Sequence, residues 1–334
     1  MIKTGIIGGA GYTAGELIRI LLNHPGVEIE WIHSSSQAGL PITDVHGGLI
    51  GETDITFSDT TDLNAVDVVF LCMGHGKSAE FWAANERPEN LVVIDLAQDY
   101  RDESCGYVYA LPEFQRERIA GSKLIANPGC YPTATTLGLQ PMLKTGHIVE
   151  NTIVVDSKSG YTGAGRRPAT NKLLTEAENN FCAYALGGGH RHTPEIEQNI
   201  AYITGKDLMK PETWQYINFQ PHLIPSVRGI EVTIYATCDK DFTNEEVYEM
   251  YKEFYKDEPF VKVFPASQPV QTKWAYGSNF VEMTPTFDQR THRLIVSSVI
   301  DNIGKGAAGQ AIQNMNLMMG LPETTGLMYP PMFP

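Results

Sequence analysis

The chain has 334 residues, with 25 Lys and Arg against 39 Asp and Glu, 42% hydrophobic residues and 19% charged residues. That length carries about two domains of ~100 to 200 residues, each with a buried core, which excludes a disulfide-stapled miniprotein and a bare helical hairpin. A net charge of -14 opposes nonspecific binding to nucleic acid or to an anionic membrane, so neither is an expected partner, and an anionic ligand must find a local cationic pocket.

The N-terminal run Met1 to Gly9 is interrupted by glycines after a few apolar residues and reads as a strand, not as a signal peptide; no later run approaches the ~18 to 20 apolar residues of a membrane helix. Ile2 to Ile7 is followed by a glycine turn and by Leu17, Ile18, Ile20, Leu21 and Leu22 at helical spacing, stopped at Asn23-His24-Pro25-Gly26. Strands are expected at Val27 to His33, Val66 to Cys72 and Leu91 to Asp95, with a helix over Lys77 to Asn85. This alternation of helices with doubly apolar strands predicts a parallel α/β sheet. After about residue 150 the pattern changes to period-2 strands at Thr152 to Asp156, Gln215 to His222, Gly229 to Thr237 and Arg293 to Ile300, which reads as a second, α+β domain. A last helix is expected over Lys305 to Met319, and the Pro-rich Tyr329 to Pro334 reads as a loose tail.

Gly8-Gly9-Ala10-Gly11-Tyr12-Thr13-Ala14-Gly15 joins the first strand to its helix, where backbone amides and a helix N-terminus suit a dinucleotide's pyrophosphate. The pattern reads as GxGxxA from Gly9 or GxxGxxA from Gly8. No carboxylate ends the second strand; His33-Ser34-Ser35-Ser36 stands there, and the hydroxyls of Ser34 and Ser35 favour NADP over NAD.

Five cysteines, at 72, 105, 130, 182 and 238, form no CxxC and are odd in number, as expected of free thiols in a reducing compartment, with the cytoplasm as default. Cys130 stands at the start of an apolar helical stretch, where orphan amides and the helix dipole favour thiolate over thiol. Cys72 and Cys238 fall in strands and read as small core residues. His190-Arg191-His192-Thr193-Pro194-Glu195 follows three glycines and opens another helix; it supplies two imidazoles for proton transfer and a carboxylate to orient one. His-x-His-x-x-Glu is also compatible with a metal, but no further ligand pattern accompanies it and no metal is expected.

Taken together, GAGYTAGEL at 9 to 17, DLAQDYR at 95 to 101, LPE at 111 to 113, ANPGCYPTA at 126 to 134, SGYTGAGR at 159 to 166, HRHTPEIEQ at 190 to 198, PHLIPSVRGI at 221 to 230 and DNIGKGAAGQAIQNMN at 301 to 316 resemble the N-acetyl-gamma-glutamyl-phosphate reductase family of arginine biosynthesis over nearly the whole chain. The resemblance implies a Rossmann-type dinucleotide domain, 1–149 with 303–334, and a central α+β catalytic and dimerisation domain, 150–302. It also implies NADPH-dependent reduction of an acyl phosphate to a semialdehyde and inorganic phosphate, with Cys130 as the thioester-forming nucleophile. His190, His192 and Glu195 would serve it, His190 being the first choice as acid/base without separation from His192. Cofactor contacts would come from residues 8–14, Ser34, Ser35 and Asn302, and substrate contacts from Arg101, Asn127, Lys158, Gly163, Arg166 and Arg191. A cytoplasmic homo-oligomer, dimer or tetramer, is implied. An N-succinyl substrate, a related semialdehyde dehydrogenase and a noncatalytic dinucleotide-binding regulator are the alternatives. The chain departs from the family pattern at three places: Ser35 stands about where an Arg is common, Gly74 replaces Pro before His75, and Tyr161-Thr162 replaces Val-Ser.

Overall fold

Ile2–Ile7 forms a strand (β1) whose last four residues are all buried, which is why the run is apolar without alternation. In the computed structural model, which describes residues 1–167 and 169–332, the chain divides into two compact units, Met1–Gly129 with Ala307–Tyr329, and Cys130–Gly306 with Pro330–Pro334.

In the first unit β1 is followed by α1 (Tyr12–Leu21), β2 (Val27–His33), β3 (Phe57–Ser58), β4 (Val68–Leu71), α2 (Lys77–Ala84), β5 (Val92–Asp95), β6 (Val108–Tyr109), α3 (Pro112–Ala120) and β7 (Leu124–Ala126). They build a sheet of order β3-β2-β1-β4-β5-β7-β6 in which every pair is parallel. The order reverses between β1 and β4, and in doubly wound sheets ligands bind beyond the carboxyl ends of the strands at such a point. The helix Gly309–Met318 packs on α1, α3 and β5. The expected helix over 305–319 instead opens with a wide π turn, Gly304–Ala308, at whose start the Asp301 carboxylate takes the amides of Ile303 and Gly304, each at 3.0 Å.

The second unit contains α4 (Cys130–Thr145), β8 (Val154–Ser159), α5 (Leu174–Ala177), β9 (Cys182–Ala183), α6 (Thr193–Ile203), β10 (Asn218–Leu223), β11 (Ile230–Thr237), α7 (Asn244–Phe254), β12 (Val261–Val263), β13 (Val281–Asp288) and β14 (Arg293–Ile300). Its sheet, β12-β13-β14-β11-β8-β10-β9, is mixed: β8 with β10 and β12 with β13 are parallel, the other pairs antiparallel. Alternation along β11 buries Ile230, Val232, Ile234 and Ala236 on one face. Helix α4 lies on that face so closely that a Cβ on Gly138 would stand 2.7 Å from Ile234 Cδ1, and the hydroxyls of Tyr251 and Tyr255 donate to the carbonyls of Gly138 and Leu137.

This packing moves the boundaries. The units part at 129/130 and 306/307, not at 149/150 and 302/303, because α4 packs on β11 and β14 and so belongs to the second core. Two strands are shifted along the chain, Val154–Ser159 for 152–156 and Asn218–Leu223 for 215–222. Cys72 follows the end of β4, and Cys238 forms only an isolated bridge with Ile148. The tail is pinned as far as Met332, whose amide donates to Tyr276 O at 2.7 Å and whose side chain covers Gly277; Phe333 and Pro334 lie outside the described residues.

Candidate active site

In the first unit the glycine turn is fixed by its backbone. Gly8 has φ +85°, and a Cβ there would stand 2.7 Å from the Cys72 carbonyl oxygen, so only glycine fits. The amides of Gly8 and Gly9 both donate to His33 O, at 3.1 and 2.9 Å, and tie the turn to the end of β2. Ala10 and Gly11 then lead into α1. Gly11 is its extended N-cap without a side-chain cap, so Tyr12, Thr13 and Ala14 form a first turn whose amides and dipole suit an anion. A backbone cradle of this kind at the strand-order reversal fits a dinucleotide's pyrophosphate. Ser34 is buried with its amide on Ser58 O at 3.1 Å, while Ser35 is exposed. The β2–β3 register pairs His33 with Ser58, which brings Asp59 beside Ser34. A carboxylate therefore neighbours the end of the second strand from β3, where the sequence of β2 shows none.

Two expected substrate contacts of this unit have other partners. Arg101 is buried and donates from Nε to Asn127 O at 3.0 Å and from Nη2 to Leu96 O at 3.2 Å. Asn127 donates from Nδ2 to Ala307 O at 3.2 Å and accepts at Oδ1 from Asn314 Nδ2 at 3.1 Å. Both brace the ends of β5 and β7. Beside them, buried Asp95 accepts from Ser78 Oγ and Ala97 N, and burial pushes its carboxyl up to about 6. Asp99 accepts the amides of Gly76, Ser78 and Ala79 and so caps α2, whose own N-cap, Gly76, has no side chain.

In the second unit Cys130 is the first residue of α4, with Pro132 in the same turn. The next side chain, Tyr131, is buried edge-on against both histidines, with ring centroids 5.8 Å from His190 and 6.0 Å from His192. The two imidazoles are 4.8 Å apart; Phe219 on β10 closes on Tyr131 and His190, and Tyr184 stands 5.5 Å from His190 with its hydroxyl 3.4 Å from that of Tyr131. The helix start, the histidine pair and three aromatic rings thus form one cluster. His190 Nδ1 accepts the His192 amide at 3.1 Å, which places the ring proton on Nε2. Burial, aided by the charge of Arg191, pushes its pKa down to about 4, so the ring is neutral at pH 7. Glu195 is buried in the first turn of α6. Cys72, by contrast, is pushed up to about 12 by burial, and burial also raises Cys238.

The expected cations of this unit separate. Lys158 ion-pairs with Asp156 at 3.0 Å and Glu231 at 3.3 Å. It alternates with buried Ser157 and Ser159 along β8 and therefore lies on the sheet face away from α4, apart from the cysteine cluster. Arg228 pairs with fully buried Asp301 at 2.8 Å. Arg166 and Arg191 are exposed. Asn302, expected at the cofactor, holds the loop between β8 and α5: its Oδ1 accepts Gly229 N at 2.7 Å and its Nδ2 donates to Thr162 Oγ1 at 3.0 Å, beside Gly163. Among the described residues no group of three or more His, Cys, Asp or Glu is placed to hold a metal, and no helix is long and apolar enough to cross a membrane.

Residues 3–122 match the family described as semialdehyde dehydrogenase, NAD binding domain, and residues 130–302 match semialdehyde dehydrogenase, dimerisation domain. The N-acetyl-gamma-glutamyl-phosphate reductase of Moorella thermoacetica is 41% identical and that of Desulfotalea psychrophila 42% identical, with the whole of each chain covered. The chain belongs to the N-acetyl-gamma-glutamyl-phosphate reductase family. Its fold is shared with aspartate semialdehyde dehydrogenase II of Vibrio cholerae, solved complexed with ASA (TM-score 0.74, 18% identity, 96% of this chain and 98% of that one), and with the Candida albicans aspartate semialdehyde dehydrogenase solved with NADP (TM-score 0.72, 17% identity, 96% and 98%).

Several residues of this reductase-family site escape a reading of the sequence. Gly306 is one: a Cβ there would stand 2.7 Å from Cys130 Cβ, so the KGAAGQ segment carries a glycine because the cysteine occupies the space. Its nearness to Cys130 is invisible across 176 residues. Tyr131 is flagged only by adjacency to the cysteine, and Tyr184 and Phe219 carry no motif at all.

Proposed function

We propose that the chain reduces N-acetyl-glutamyl 5-phosphate to N-acetyl-glutamate 5-semialdehyde and inorganic phosphate with NADPH, through a thioester on Cys130. The observation that carries this reading is Cys130 at the first position of α4, with Tyr131 packed against two buried histidines. The Cys130 sulfur attacks the carbonyl carbon of the acyl phosphate, the bond from that carbon to the phosphate oxygen breaks, and phosphate leaves with the electron pair. Residues 8–14 would hold the pyrophosphate of NADPH and Ser34 and Ser35 would face its ribose; bound there, the cofactor would supply the hydride for the thioester carbonyl carbon. The resulting oxyanion collapses with cleavage of the carbon–sulfur bond, which releases aldehyde and restores the cysteine.

His190 is given the oxyanion. Its tautomer presents Nε2–H as a donor, and a neutral ring that holds its proton so weakly at Nδ1 is a poor base. Proton transfer falls to His192, and Glu195, in the next turn, to the orientation of that pair. Arg166 and Arg191 are assigned to the phosphate and α-carboxylate, with Gly163 keeping the loop beside Asn302 close. Unit one then serves the dinucleotide and unit two the chemistry and self-association, as a cytoplasmic homo-oligomer; the dimerisation-domain match over 130–302 supports the assembly.

The test runs the reaction in the oxidative direction. NADP reduction by N-acetyl-glutamate semialdehyde should require inorganic phosphate; a rate independent of phosphate would remove the acyl-phosphate reading, and a higher kcat/KM for the N-succinyl compound would replace the substrate.

A further inference from the structure

The last glycine of the turn segment, Gly15, lies inside α1 and not at the turn. Glycine in a helix interior is unfavourable relative to alanine, so its presence needs a reason. The reason is His46, from the loop between β2 and β3: a Cβ on Gly15 would stand 2.6 Å from His46 Nδ1 and 2.7 Å from Cε1. The same half-buried imidazole reaches the carbonyl oxygen of Gly9 at 2.7 Å through Nε2, and since a carbonyl only accepts, Nε2 carries the proton. Gly9 is thereby gripped at both ends, its amide on His33 O and its carbonyl on His46. In a planar trans peptide the carbonyl and the following N–H point in opposite directions, so a fixed Gly9 carbonyl also fixes the direction of the Ala10 amide.

We infer that His46 is a positioning residue for dinucleotide binding: it sets the Gly9–Ala10 peptide, and Gly15 is glycine to let its ring in. The inference rests on the reading of the glycine turn as the dinucleotide site. His46 lies outside every motif of the sequence, and Gly15 is a glycine that the phosphate-binding pattern does not use.

The experiment measures the dissociation constant of NADPH by fluorescence titration, with kcat at saturating NADPH and the melting temperature as controls. Loss of one neutral hydrogen bond predicts that His46→Ala weakens NADPH about three- to tenfold at unchanged kcat, and that His46→Gln, which keeps an N–H donor, recovers part of the loss. Gly15→Ala should weaken NADPH in the wild-type background, by pushing the ring off Gly9, and do nothing further in the His46→Ala background. Wild-type affinity in both His46 variants, or an equal Gly15→Ala effect in the two backgrounds, would overturn the inference. If His46→Ala does not fold, Gly15→Ala and His46→Gln still decide it. Gly8→Ala separates the two claims: if it too leaves NADPH affinity unchanged, the dinucleotide site lies elsewhere and the reading of the turn fails first.

Discussion

The glycine turn of the first unit and the cysteine cluster of the second are built from opposite materials. The turn is backbone: Gly8 and Gly9 matter for side chains they lack, and nearly all of it lies within eight consecutive residues. The cluster is side chains, contributed by residues 130, 131, 184, 190, 192 and 219, with Gly306 set against the first of them. Backbone sites are therefore fragile toward added atoms, and side-chain sites toward removed ones. Substitutions should divide the same way, with binding of the cofactor lost in one unit and chemistry lost in the other.

The largest effect is expected at Cys130. Cys130→Ser should lower turnover about a thousandfold or more while NADPH still binds, measured by steady-state rate and by titration. Parallel loss of NADPH binding would dissolve the contrast between the two regions. At His190, removing an oxyanion donor predicts a fall in kcat of about 100- to 1000-fold in His190→Asn with little change in KM for NADPH. Because His190 is already neutral well below pH 7, its loss should leave the acid limb of the pH–rate profile in place; a vanished limb would make His190 the titrating base instead.

In the first unit, Gly8→Ala must accept φ +85° and a contact with the Cys72 carbonyl. Left-handed backbone alone costs about 1 to 2 kcal/mol, so a lower melting temperature should accompany weaker NADPH binding. The smallest effect concerns cofactor choice. The Ser34 and Ser35 hydroxyls favour NADPH over NADH, while Asp59 beside Ser34 and the lack of an arginine at position 35 keep the margin modest; Asp59→Asn should widen it. Equal affinities in both proteins, by direct titration, would refute this.

Buried Asp95 gives a pH signature to the first unit. Its folded pKa, about 6, lies above the ordinary 3.8, so the folded chain holds the proton more tightly and stability falls as pH rises through that window. Melting temperatures between pH 4 and 6 should lose that component of slope in Asp95→Asn; an unchanged slope would mean that Asp95 does not titrate there.

What the sequence made legible follows the same division. The parallel sheet, the glycine turn and the position of Cys130 at a helix start are local patterns, and β1, β2 and β14 fall on their expected residues. The α4 boundary was not legible, because only tertiary packing on β11 assigns that helix to the second unit. Arginine and lysine roles were the least legible. Arg101 and Lys158 both look available in a sequence, and each is engaged by carbonyls or carboxylates once the chain folds. Charge type is local information, whereas charge compensation is not.

A covalent acyl enzyme at Cys130 can be trapped without any hydride donor. Mixing the protein with N-acetyl-glutamyl 5-phosphate in the absence of NADPH should release one equivalent of phosphate per chain and add one N-acetyl-glutamyl group to the intact mass, mapped to the Cys130 peptide. Phosphate release without an adduct, or an adduct on Cys72, Cys105, Cys182 or Cys238 in place of Cys130, would rule out Cys130 as the acylated nucleophile.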